Sequence, residues 1–288
     1  MSELRGGLLG GGGLVHWDEV EEARAESPRL AFAVRDLGAA AGSTVAGLRR
    51  IEVDPGGVAP PYGAIEGIAP TEEVGFVLDG DGRLEQHEGP EHPLRAGQPF
   101  IRHARDRSFV YRAGDEGLDF LAFGANVPPA PVPKEGPVAV SLAEAEEDVE
   151  DRGEFGWHER DLGGAVGSVL AGLRYATLPP RKLNTPPHWH SGEHELFVVL
   201  DGTGSLLLYD MEGTVGAEHP LRPGHVVSRP AGTYVAHALR AGDRPMTYLV
   251  YGTRKPDEVT FYPRSQKAFI AGLLVRVDRV ADYWEGEA

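Results

Sequence analysis

The stretch HWHSGEHELFVVLDG, His188 to Gly202, sets three histidines and two glutamates directly ahead of an unbroken apolar run that closes on Asp-Gly. A short apolar run ended by a turn signal marks a strand. Alternate side chains of a strand share a face, so His188 and His190 point one way while Trp189 points the other, a pincer of two imidazoles. SLLLYD (Ser205 to Asp210) follows at once, and the Asp-Gly and Gly-Thr-Gly between the two runs predict a hairpin. GHVVSRPAGTYVAH (Gly224 to His237) then gives a strand, a Pro230-Ala231-Gly232 turn and one more histidine, and MTYLVYG supplies another strand.

Working outward, the chain repeats itself. RDLGAAAGSTVAGLR, from Arg35, aligns without a gap on RDLGGAVGSVLAGLR, from Arg160. FVLDGDG (Phe76 to Gly82) answers VVLDGTG (Val198 to Gly204), EHPLRAG answers EHPLRPG, and FLAFG answers YLVYG, in the same order. Solenoid units repeat every 20 to 50 residues or so; a repeat this long is a duplicated domain. NVPPAPVPKEGP (Asn126 to Pro137) lies between the copies, and its prolines favour an extended linker. The division is therefore expected at residues 1–134 and 135–288. Helical character is confined to acidic stretches such as WDEVEEARAE and SLAEAEEDVE, expected as solvated short helices or turns, and LLVRVDRVADYWEG ends the chain as a last strand with a short helical tail.

The composition narrows the function. With 288 residues the chain is long enough for two ordinary domains, and its 39 glycines and 23 prolines suit short strands and tight turns. A formal charge of −16 repels a phosphate backbone, so nucleic acid is not an expected partner. No apolar run approaches a membrane span and the N-terminus lacks a signal-peptide core, so no membrane partner and a cytoplasmic location are expected. With no cysteine, a metal must be held by histidine and carboxylate.

These features together resemble the cupin superfamily, small β-barrels whose first motif reads HxH, a few residues, E, six residues, G, and whose second reads G, five residues, PxG, a short gap, H. Here the first is His188, His190, Glu195 and Gly202, and the second is Gly224, Pro230, Gly232 and His237. Lys182 stands where the family usually has glycine, four residues separate Gly232 from His237, and Ala241 stands where a late asparagine is common; none of these removes a ligand. With the duplication, the chain looks like a bicupin: an all-β protein of two tandem jelly-roll barrels with few short helices. Tyr251 to Ser265 also resembles a group of cupin proteins with no assigned activity.

Four inward-pointing polar groups left unpaired would each cost roughly 1 to 3 kcal/mol, and a divalent ion converts that cost into ligation. The expected metal ligands are His188, His190, Glu195 and His237, holding one transition metal ion, with zinc, iron, manganese and nickel all compatible with the donor set. His194 is expected to point away from Glu195 in a structural or surface role, Glu193 replaces Glu195 only if the turn bulges, and His219, like His92, is expected in a turn or packing role. Lys182, Asn184, Tyr209, Arg229, Tyr234 and Tyr251 flank the barrel, and none is nominated as catalytic.

The first half has lost this set. PPYGAIEGIAPTEE carries Tyr62 in place of the first histidine, Glu73 answers Glu195, and Phe109 or Val110 falls at His237. No spacing supports a rebuilt site from His103, Glu73 and His87, so a structural first barrel is expected. The cupin resemblance implies a metal-dependent enzyme of oxygenase, isomerase or lyase type acting on a small oxygen-rich metabolite. The alternative is a non-catalytic cupin that binds a sugar or other small ligand, or one whose metal only locks the barrel. The chain is expected as a monomer or homodimer.

Overall fold

The computed structural model describes residues 11–27, 30–61, 72–86, 89–103, 109–125, 138–277, 282 and 284–286. The first half contributes β1 (Gly13–His16), β2 (Glu22–Glu26), β3 (Ala31–Asp36), β4 (Ala46–Val53), β5 (Val58–Ala59), β6 (Glu72–Gln86), β7 (Glu91–Arg95), β8 (Pro99–His103) and β9 (Phe109–Ala125). After them come β10 (Val138–Ala139), β11 (Glu147–Arg152), β12 (Phe155–Asp161), β13 (Ala171–Leu178), β14 (Trp189–His190), β15 (Glu195–Asp201), β16 (Gly204–Tyr209) and β17 (Val215–Leu221). The chain continues through β18 (His225–Arg229), β19 (Ala236–Ala241), β20 (Met246–Thr253), β21 (Val259–Tyr262), β22 (Lys267–Ile270) and β23 (Leu273–Arg276). Among the described residues the protein is thus nearly all β, with two one-turn helices, α1 (Leu37–Ala40) and α2 (Leu162–Ala165).

Both helices come from the repeated Arg-Asp-Leu-Gly. Asp36 and Asp161 each cap their turn by accepting the amide of the residue three positions on, at 3.0 and 2.9 Å. Leu37 and Leu162, the next residues, are fully buried.

The duplication is visible in the sheets. One large sheet runs β10-β8-β6-β9-β4-β3-β2 and the other β1-β18-β15-β20-β13-β12-β11, the same order strand for strand. The strand that leads into each half completes the sheet of the other. β1 pairs antiparallel with β18, Gly13 opposite Ser228 and His16 opposite His225, while β10 pairs with β8. Glycine at 224 is required for this exchange. Its φ is +89°, and a Cβ there would lie 2.5 and 2.7 Å from the rings of His16 and Trp17.

Continuous apolar runs follow from where these sheets sit. Phe197 and Val199 of β15 point into the second barrel with Leu206, Val227, Leu239 and Tyr248, while Leu196 and Val198 point the opposite way. There they meet the other sheet. Leu48, Phe76, Leu121 and Phe123 of the first half pack with Leu173, Leu196, Leu249 and Tyr251 of the second in one buried core. The rings of Phe123 and Tyr251 stack at 5.2 Å. Phe100, Tyr111 and Phe120 fill the first barrel. Buried on both faces, the central strands have no polar alternation.

Three expectations are corrected. The runs 195–201 and 205–210 do not form a hairpin: β15 belongs to the large sheet, whereas β16 pairs with β17 and β19 in a separate three-stranded sheet. The Asp201-Gly202 turn is a corner. Gly202 (φ +75°) passes so close to Pro245 that a Cβ would lie 2.1 Å from its carbonyl oxygen. Secondly, the acidic stretches hold only one 3-10 turn each, Trp17–Glu19 and Leu142–Glu144, and then run on as strands β2 and β11. Their charges are cross-strand ion pairs on edge strands: Glu22 with Arg35 at 2.5 Å and Glu147 with Arg160 at 3.0 Å. Thirdly, the described part of the C-terminal tail is a turn at 284–286 after β23. The linker, Asn126 to Pro137, lies outside the described residues. No helix among the described residues is long and apolar enough to cross a membrane.

Candidate metal centre

Four side chains of the second half converge at one end of its barrel. His188 and His237 face each other across an isolated antiparallel bridge, His237 N donating to His188 O at 2.9 Å, with ring centroids 5.0 Å apart. His190 follows on β14, and Glu195 opens β15 opposite Arg229 and Gly252. His188 Nε2 stands 3.1 Å from His190 Nε2, Glu195 Oε2 stands 3.3 Å from His190 Nε2, and the same oxygen stands 2.8 Å from His237 Nε2. His188, His190 and Glu195 each offer a ligand atom within 4.8 Å of the others, a grouping able to hold a metal ion.

The outward nitrogens are held. His188 Nδ1 lies 3.0 Å from the Pro186 carbonyl oxygen, and His190 Nδ1 lies 3.0 Å from Glu258 Oε1. A proton on each Nδ1 leaves each Nε2 lone pair aimed at the centre. Glu258 also holds the loop between the motif residues: its Oε2 accepts from Gly192 N at 2.7 Å and Glu193 N at 2.8 Å. The register of β14 with β21, His190 opposite Thr260, brings it there.

Burial and charge set the protonation. His188 is pushed down to about 3, first by burial and then by His237 and His190. Burial lowers His237 as well. Burial alone would also lower His190, but Glu195 and Glu258 raise it to about 10. Burial would raise Glu195, yet His190 and His237 hold it well below the usual carboxylate range. The buried atoms Glu195 Oε2 and His237 Nε2 make no hydrogen bond of acceptable geometry despite their 2.8 Å separation. Two orphaned buried atoms, a carboxylate oxygen and an imidazole nitrogen, facing each other beside two further imidazoles fit a cation better than a hydrogen-bonded core.

The neighbours sort plainly. His194 turns away to Ser228 Oγ at 3.0 Å and is 2% exposed, so its role is internal and not on the surface. Glu193 accepts from Lys255 N at 3.1 Å and does not replace Glu195. His219 and His92 lie within strands β17 and β7, paired with Leu206 and Leu84, and not in the turn expected of them. Lys182 reaches Asp151 at 2.6 Å, Asn184 accepts from Leu239 N at 2.8 Å, and Tyr251 is buried between the halves. Arg229 donates to the Val235 carbonyl at 3.0 Å, Tyr209 belongs to a small apolar cluster with Leu183 and Leu207, and Tyr234 lies on Trp189 at 4.7 Å. Glu258, missed by sequence reasoning, lies in the 251–265 stretch that was read only as a marker of the fold. Tyr262, from the same stretch, packs 5.7 Å from His188.

The corresponding end of the first barrel is filled differently. Glu73 faces Arg102 and Gly124 exactly as Glu195 faces Arg229 and Gly252. In the first half, however, the arginine turns inward. Arg102 donates to Glu73 Oε2 at 2.7 Å, and the Tyr111 hydroxyl bonds the other oxygen, all three fully buried. Phe109 pairs with Gln86 as His237 pairs with Leu208, an apolar ring in a ligand's place. His87 and Tyr62 lie outside the described residues, and His103 is described only by its place at the end of β8.

Comparison with known proteins bears on the fold that carries this cluster. The cupin domain family matches residues 174–252, which run from β13 through the last histidine to β20. Solved structures of two-barrel enzymes superpose on nearly the whole chain. The oxalate decarboxylase of Lactobacillus farciminis in complex with formate matches at 13% identity with a TM-score of 0.61, covering 84% of this chain and 86% of that one. The Bacillus subtilis oxalate decarboxylase, in a study of its Mn(II) centres, matches at 13% identity with a TM-score of 0.60, covering 86% of this chain and 78% of that one. Residues 174–252 thus carry a cupin domain, and the chain as a whole has the two-barrel fold of these structures. At this identity the likeness to the decarboxylases is one of fold. No curated protein matches the chain in sequence.

Proposed function

We propose that the protein is a metal-dependent enzyme whose second barrel holds one divalent transition metal ion on His188, His190, Glu195 and His237 and acts on a small oxygen-rich metabolite. The observation that carries this reading is the pair of orphaned buried atoms, Glu195 Oε2 and His237 Nε2, facing two Nε2 atoms of oriented imidazoles. When bound, such an ion supplies Lewis acidity, and redox chemistry if it is iron or manganese. The residues do the rest: Glu258 and the Pro186 carbonyl fix ring orientation, and Phe197 and Tyr262 wall the cluster. The named neighbours are decarboxylases of a small dicarboxylate, which supports an oxygen-rich substrate and leaves oxygenase, isomerase and lyase chemistry in play.

A non-catalytic ligand-binding cupin is the second reading, favoured by one observation. Glu193 and Glu258, the carboxylates nearest the four ligands, are both committed to backbone amides, and neither is presented as a general acid.

Metal content measured on the purified chain tests the first reading, alongside a His188→Ala, His190→Ala variant. About one ion per chain, lost in the double variant, together with oxygen uptake or turnover of small carboxylates and sugars, is the expected outcome. Saturable ligand binding without turnover at full metal occupancy selects the second reading. Equal metal in both proteins overturns the ligand assignment.

A further inference from the structure

The hairpin β22–β23 has a surface unlike the rest of the molecule. Every residue from 269 to 277 is exposed, yet six of the twelve exposed large apolar side chains among the described residues fall in this stretch. They are Phe269, Ile270, Leu273, Leu274, Val275 and Val277, between 36% and 65% exposed.

Both faces are apolar. Register sets Phe269 opposite Leu274 on one face, and Ile270 opposite Leu273 with Ala268 opposite Val275 on the other. Among the described residues β23 is moreover the free edge of its sheet, which runs β14-β21-β22-β23. A free edge with exposed apolar residues is a template for pairing, and natural proteins usually blunt such edges with charge or proline. Here neither interrupts Leu273-Leu274-Val275.

The occupant follows from four features. A lipid surface would take one apolar face, and this arm has two. Its root carries Lys267 opposite Arg276, a cationic pair on a chain of net charge −16, so it complements a body as acidic as its own. An antiparallel pairing of β23 with itself, centred between Leu274 and Val275, places each Arg276 opposite Leu273 of the second copy, and no like charges meet. The six side chains expose on the order of 500 Å² of apolar surface, close to the apolar two-thirds of a standard interface of roughly 800 Å² per partner.

We propose that β22–β23 is a dimerisation arm: β23 pairs antiparallel with β23 of a second copy across a two-fold axis, and each arm packs its faces on the other body. Sedimentation velocity and light scattering on the full chain at micromolar concentration test this, with a Leu273→Asp, Leu274→Asp variant beside it. The wild type is expected at twice the 30.9 kDa chain mass and the variant at one chain mass. Because both positions are exposed, the variant's thermal transition and metal content should match the wild type. Amide exchange over 273–276 should be slow in the wild type and fast in the variant. A wild type of one chain mass overturns the proposal; protected β23 amides in that case assign the arm to the chain's own terminal residues, and vesicle binding assigns it to lipid. A variant that stays dimeric overturns it equally.

Discussion

At His190 the ring is gripped from both sides, by Glu258 at Nδ1 and by the cluster at Nε2. Glu258→Gln separates the two duties of that carboxylate. Its amide oxygen still accepts from the 192–193 amides, but its NH₂ then faces Nδ1 and drives the imidazole proton to Nε2, the wrong tautomer for a ligand. Chelator-competition titration should show metal affinity falling by about 10- to 100-fold, with the melting temperature of the metal-free protein little changed. Unchanged affinity would mean that the ring is oriented without Glu258. A second residue-scale prediction concerns acid. His188 and His194 are pushed down to about 3 and about 4 by burial, and His237 is lowered by the same cause. The unfolded chain, titrating near 6.5, takes up these three protons first as pH falls. Stability of chelator-treated protein should therefore drop below about pH 6.5, by up to about 4 kcal/mol per pH unit. His190, raised to about 10, contributes in the opposite sense: its stabilisation is complete below 6.5 and is lost as pH climbs through 10. Urea titrations from pH 4 to 10 check both arms, and a flat profile between 4.5 and 6.5 would refute the buried neutral histidines. The four convergent residues were readable because strand alternation and two short motifs place them. Glu258 was not, because only the β14–β21 register joins it to a residue 68 positions away.

Between elements, the same position on two equivalent strands has been put to different uses. Arg229 and Arg102 both stand opposite the surviving carboxylate, yet one reaches a backbone carbonyl and the other neutralises Glu73. Burial alone would lower Arg102, but Glu73 and Tyr111 raise it, so the guanidinium supplies a permanent positive charge where the second barrel has its cluster of imidazoles. Loss of HxH in the first half was plain from the sequence; the replacement was not, because an arginine one strand away gives no local signal. Element boundaries failed for a related reason. Asp-Gly reads as a hairpin when adjacent strands pair, but in a jelly roll the same turn carries the chain from one sheet to another, and only the approach of Pro245 to Gly202 decides which. Acidic edge strands β2 and β11 look solvated in either conformation, and the ladders to β3 and β12 settle them as strands.

Across the whole molecule, two sheets of identical strand order lie face to face, each completed by a strand from the other half. The repeat in the sequence predicted two barrels; it held no sign of the exchange, since β1 and β10 are four and two residues long and pair with strands far away in the chain. Exchange makes the halves dependent on each other. A fragment of residues 135–288 keeps all four candidate ligands but loses β1 from the edge of β18 and uncovers Leu196, Val198, Leu249 and Tyr251. A fragment of residues 1–134 loses β10 and uncovers Phe76, Leu121 and Phe123. Apolar faces of that size are not stable in water, and an open β-sheet edge beside them invites aggregation. Each fragment alone is therefore expected to bind hydrophobic dye and to lack a cooperative melt, whereas co-expression should recover a complex with the melting temperature and metal content of the intact chain. If the 135–288 fragment alone melts cooperatively with its full metal complement, the sheet-to-sheet core is dispensable and the first barrel serves some purpose other than completing the second.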